Sequence, residues 1–76
     1  MGMPIDKKAM YEARYPKGTI IELTEPMDDP YTPKPVGARF QVSFIDDTYQ
    51  LHGSWLPPER GSIAVSIEED HFKIVD

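Results

Sequence analysis

Residues 38–45 read "ARFQVSFI". Phe40, Val42 and Phe44 recur at every second position, with Gln41 and Ser43 between them. Side chains alternate between the two faces of a strand, so this spacing predicts a half-buried β-strand with Phe40, Val42 and Phe44 turned to the core. The fold class then depends on whether the flanking segments keep the same period.

They do. Upstream, "TIIEL" at 19–23 is rich in β-branched residues and places Ile21 and Leu23 on one face. Downstream, "DDT" at 46–48 is a short polar turn, and "YQLHGSW" at 49–55 puts Tyr49, Leu51, Gly53 and Trp55 together. After the loop "LPPERG", "SIAVSI" at 62–67 alternates Ile63, Val65 and Ile67 with small residues. "EED" reads as one tight turn, and "HFKIV" at 71–75 closes the chain with Phe72 and Ile74 facing inward. Strands are therefore expected at 19–23, 38–45, 49–55, 62–67 and 71–75, with Phe40, Val42, Phe44, Leu51, Ile63, Val65 and Phe72 in one core. The chain is too short for a seven-stranded sandwich, and a five-stranded sheet with free edges invites aggregation. The expected architecture is all-β, mainly a small five-stranded SH3-like barrel with a short N-terminal α-helix.

The helix is read from "IDKKAMYEARYP". Asp6 is a good N-cap, Pro16 ends the segment, and Ile5, Ala9, Met10 and Ala13 form the expected docking stripe. The chain thus divides into a helical extension at 1–17 and a barrel domain at 18–76. The longest connection, "DDPYTPKPVG" at 28–37, holds Pro30, Pro33 and Pro35, which lack a backbone N–H and fix φ near −65°. It is a semi-rigid loop with an aromatic ring in its middle, and such loops commonly carry function.

The segments "RYPKGTIIEL", "MDDPYTP", "VGARFQV", "IDD" and "DHFKI" together resemble a family of small bacterial and phage-borne SH3-like domains of unknown function. The carried positions are Tyr15, Pro16, Gly18, Thr19, Met27, Asp29, Pro30, Tyr31 and Pro33, then Gly37, Arg39, Val42, Asp46, Trp55, Asp70 and Phe72. Two positions depart from the family pattern. Phe40 stands where the family has a second glycine, and "LPPERG" is longer than the family's turn after its tryptophan. The resemblance implies the barrel and supplies no activity. It also implies a shallow groove lined by an aromatic of the first long loop and a tryptophan beyond the second turn. Here the candidate binding residues are Tyr31, Trp55, Tyr49 and Phe72, with Asp28 and Asp29 suited to a ligand carrying Lys or Arg. The competing use of Tyr31 and Trp55 is to plug the barrel ends against the loop prolines.

Composition narrows the remaining classes. Thirteen acidic against eight basic side chains give a net charge of −5, which opposes phosphate-backbone binding unless the cations cluster. Lys7, Lys8, Arg14, Lys17 and Arg39 could form such a stripe. No cysteine is present, so neither a disulfide nor a thiolate-bound zinc is expected, and a cytoplasmic setting fits. No apolar run reaches the ~18 residues of a membrane span. No nucleophile elbow or phosphate-cradling glycine run occurs. The pairs Asp28–Asp29 and Asp46–Asp47 read as turn residues rather than acid/base couples. His52 and His71 match no metal-ligand spacing. The expectation is a non-enzymatic module without cofactor or metal that binds an unidentified protein or peptide. A nucleic-acid accessory role, or a structural or regulatory role in a mobile-element system, is the alternative.

Overall fold

The computed structural model describes residues 6–28, 30–31, 33–61 and 64–75. The Asp6 carboxylate accepts the backbone N–H groups of Lys8 and Ala9 at 3.0 and 3.3 Å, pairing two amides that a helix start leaves open. Helix α1 spans Lys7–Arg14. It stops at Tyr15, which sits at φ −125° and ψ 66°, because the following proline disfavours helical geometry. The expected stripe does not dock: Ala9, Met10 and Ala13 face solvent, and Ile5 lies outside the described residues. The helix packs through its tyrosines instead. Tyr11 meets Tyr49 edge-on at 5.4 Å between ring centroids, and Tyr15 meets Phe72 at 5.6 Å. A tyrosine ring carries far more buriable surface than an alanine methyl, so it decides which side goes down.

Five strands follow: β1 (Ile20–Leu23), β2 (Arg39–Ile45), β3 (Gln50–Trp55), β4 (Val65–Ser66) and β5 (Phe72–Ile74). They form one antiparallel sheet in the order β4-β3-β2-β1-β5. The chain is mainly β with one short helix, but the SH3-like barrel is not formed. Strands β4 and β5 are the two edges of an open sheet. Closure requires the outer strands to pair along their length, and these strands are too short: β4 has two residues and β5 three. Between them Ile67 turns back to donate to the Tyr49 carbonyl. Asp70 closes the "EED" turn through its N–H to the Ser66 carbonyl, at 3.0 Å. Short edges also answer the aggregation hazard without a barrel, and Lys73 on β5 adds a charge to one of them.

Ile21, Leu23, Phe40, Val42, Leu51 and Val65 are fully buried on one face of the sheet. Ile45 and Trp55 complete that face. Phe72 packs against it half-buried, and Ile63 lies outside the described residues. Phe44 was expected in this core and is 57% exposed. The ladder pairs Val42 with Gly53 and then Phe44 with His52, so Ser43 is an extra residue in β2. One inserted residue moves every later side chain to the other face. Ile45 therefore takes the inward place and Phe44 the outward one.

Gly53 is what allows this approach. A Cβ built there would lie 1.9 Å from the Gln41 carbonyl oxygen, well inside van der Waals contact. The close backbone contact of the sheet is thus at Gly53, while Phe40, where the supposed family pattern has glycine, is a core residue with no exposed surface.

Candidate functional site

The 24–37 connection leaves β1 and returns to β2 as a narrow extension of their hairpin. Leu23 N–H donates to the Ala38 carbonyl and Gly37 N–H to the Leu23 carbonyl, both at 2.9 Å. Val36 and Gly37 form the corner of the turn from Pro35 to Ala38, closed by the Ala38 N–H at 3.2 Å. Gly37 has φ 91°, the geometry that a type II turn demands of its third residue. Further out, Met27 and Lys34 exchange both backbone hydrogen bonds, at 2.9 and 3.1 Å. The tip beyond this pair includes Asp28, Pro30, Tyr31 and Pro33.

Lys34 pins the extension to the body. Its side chain is only 6% exposed, and its ammonium donates to the Arg60 carbonyl at 2.8 Å. It also stands 5.4 Å from the centre of the Trp55 ring and 3.8 Å from the Glu59 carboxylate. A buried ammonium is tolerable only with such partners. Sequence reading did not single out Lys34. The available signal was a lone lysine between two prolines in an otherwise acidic loop.

The six residues read as one groove occupy three places. Trp55 is 4% exposed, edge-on to Phe40 at 5.0 Å, and lies in the core; its indole N–H is buried without an acceptor among the described residues. Tyr49, at φ 62°, and Phe72 serve the helix contact. Tyr31 is 91% exposed at the loop tip, and Asp28 is exposed before it. Asp29 lies outside the described residues. Of the two rings, Trp55 packs as a plug and Tyr31 does not.

A second convergence occurs at the β2–β3 turn. One oxygen of Asp46 accepts the Thr48 hydroxyl at 2.7 Å and the N–H groups of Thr48 and Gln50 at 2.8 and 3.1 Å. The other oxygen lies 2.6 Å from His52 Nε2. These contacts, the histidine first and the threonine hydroxyl next, hold the Asp46 carboxyl well below the usual carboxylate range. His52 in turn stacks on Phe44 with ring planes 1° apart and centroids at 4.6 Å. The carboxylate is committed to the turn, as its position suggested. His71 stands 3.8 Å from Glu25, and the described residues hold no group of three or more metal-ligating side chains.

Three of the five residues of the expected basic stripe are held by carboxylates, while Arg14 and Lys17 stay exposed. Lys7 pairs with Glu68, Lys8 with Asp47 at 2.8 Å, and Arg39 with Glu22 at 3.0 Å. The first two ammonium groups titrate above their ordinary range because of these hydrogen bonds. A shallow groove of about 370 Å³ runs between Glu22, Arg39, Leu56, Pro57, Pro58 and Glu59. Its arginine is already neutralised, and neither Tyr31 nor Trp55 lines it.

These features define a small open-sheet module with a capped N-terminal helix and a pinned, protruding loop. The model of the family described as "Domain of unknown function (DUF4314)" matches residues 7–75, and the chain belongs to that family. This corrects the resemblance to SH3-like domains, since the matching family is a different one and the open sheet removes the barrel on which the resemblance rested. No curated protein and no solved structure matches the chain. No helix among the described residues is long and apolar enough to cross a membrane.

Proposed function

We propose that this chain is a non-enzymatic module that engages a partner protein or peptide through the tip of its 24–37 loop. The observation that carries the reading is Tyr31, 91% exposed on a loop whose base is held by the Met27–Lys34 pair and the buried Lys34 side chain. Exposing a large aromatic ring brings no folding benefit, whereas a tyrosine with one polar handle is a common binding anchor. The loop prolines reduce the ordering entropy that association costs. The binding residues of this reading are Tyr31 and Asp28, with Asp29 beside them in sequence. Trp55, Tyr49 and Phe72 act as framework.

Pairing of Lys7, Lys8 and Arg39 with carboxylates disfavours the nucleic-acid alternative, because phosphate contacts need uncommitted cations. Among the described residues, the polar cluster around His52 holds a turn, which favours binding over catalysis. A cysteine-free composition suits work in the cytoplasm. Affinity capture from the native host with wild-type and Tyr31→Ala chains tests the reading. Proteins held by the wild type should be lost by the variant at least about tenfold, as expected of an aromatic hot spot. Equal capture by both chains would refute it.

A further inference from the structure

The chemistry of the loop narrows the kind of partner, provided that the loop is the binding surface. Within 24–37 the sequence holds three acids, Glu25, Asp28 and Asp29, and one cation, Lys34. Folding separates the two signs. Glu25 and Asp28 are exposed, whereas the Lys34 ammonium is drawn inward to the Arg60 carbonyl and the Trp55 ring. A lysine on a surface loop ordinarily offsets neighbouring acids; here it pins the loop and leaves the outer side one-signed. The His71 ring lies 3.8 Å from Glu25, and Arg60 is exposed. The same loop carries exposed Tyr31 and Val36, which supply a π face and an apolar contact.

We infer that the partner of this loop is a basic peptide segment carrying arginine. A guanidinium stacks on a tyrosine face and donates to carboxylates through a planar fork of N–H groups. An ammonium offers only a point charge, so arginine should be preferred to lysine. An acidic or apolar segment would meet either repulsion from Glu25 and Asp28 or too little apolar surface.

The test uses the full chain labelled with nitrogen-15 and three synthetic decapeptides in a Gly/Ser background, bearing four arginines, four lysines or four glutamates. The arginine peptide should shift the amides of Glu25, Asp28, Tyr31 and Val36 in a saturable manner. Tyr31→Ala should weaken it by about two- to fivefold, the value of one exposed cation–π contact, and Asp28→Asn should add to the loss. Binding should fall as salt shortens the screening length from about 10 Å at 0.1 M to about 3 Å at 1 M. The lysine peptide should bind less tightly and the glutamate peptide should leave the spectrum unchanged. Glu69→Gln, in the turn outside the loop, should bind as wild type does, and the variants' own spectra verify the fold. Shifts centred on residues 67–70 or spread over the surface would overturn the inference, as would indifference to Tyr31→Ala. A silent arginine peptide with host capture still dependent on Tyr31 would overturn the basic-partner inference alone. Host capture independent of Tyr31 would overturn the loop reading beneath it.

Discussion

At the scale of single residues, Ser43 and Gly53 decide more than any large apolar side chain. Phe40 and Phe44 have the same chemistry and the same strand phase in the sequence, yet only Phe40 is buried. Phe40→Ala should therefore cost about 3–5 kcal/mol, while Phe44→Ala should cost under about 1 kcal/mol, as read from urea unfolding. Similar losses from both would remove the bulge at Ser43. Gly53→Ala should destabilise by about 3 kcal/mol or more, because its new methyl must displace the Gln41 backbone. The bulge was not legible from β2 alone: alternation describes a strand's own faces, and an inserted residue is set by the partner strand. Gly53 was the available hint, a glycine inside a strand pattern marking close backbone approach. Asp46 sets a pH dependence. Its carboxyl is depressed in the folded state, so its contribution is whole above the unfolded value near 3.9 and is lost as pH falls below it. The stability difference between wild type and Asp46→Asn should shrink as pH falls below about 4. A difference that grew on acidification would contradict the hydrogen-bond geometry.

At the scale of elements, α1 shows what patterning captures and what it misses. Its ends were legible because Asp6 and Pro16 act on the backbone directly. Its buried side was not. The stripe of Ala9, Met10 and Ala13 follows helical spacing, but Tyr11 and Tyr15 hold the larger apolar area and still keep a polar end in reach of water. Lys7 and Tyr11 also meet Glu68, at 3.3 Å from the Tyr11 hydroxyl, and Lys8 meets Asp47. The helix therefore bridges the 46–49 and 67–70 turns. Tyr15→Ala should cost about 3–5 kcal/mol, by analogy with other buried aromatics, and Met10→Gln should stay within about 0.5 kcal/mol. Chemical denaturation of the two variants separates the tyrosine face from the alanine face. Equal sensitivity would mean that the helix docks differently. The strands were largely legible from period two. Their lengths at the edges were not, since pairing depends on what the neighbouring turn allows.

At the scale of the whole molecule, an open sheet leaves the β1–β2 connection projecting, and Lys34 ties that projection down. Sequence could mark the loop as stiff and aromatic through its prolines and Tyr31. It could not tell which of Tyr31 and Trp55 would be buried, because that depends on how the strands pair: Trp55 lies opposite Phe40 in the ladder, and Tyr31 sits at the loop tip. Lys34→Ala should cost about 1–3 kcal/mol through lost packing and a lost buried hydrogen bond. Tyr31, 91% exposed, buries little apolar area and should contribute little to folding, and this division of labour is the core of the functional reading. Thermal melting of Tyr31→Ala tests it most directly. At about 4–8 °C per kcal/mol for a domain of this size, the variant should melt within about 3 °C of wild type. A fall of more than about 10 °C would make Tyr31 a structural plug and contradict the presentation of the loop to a partner.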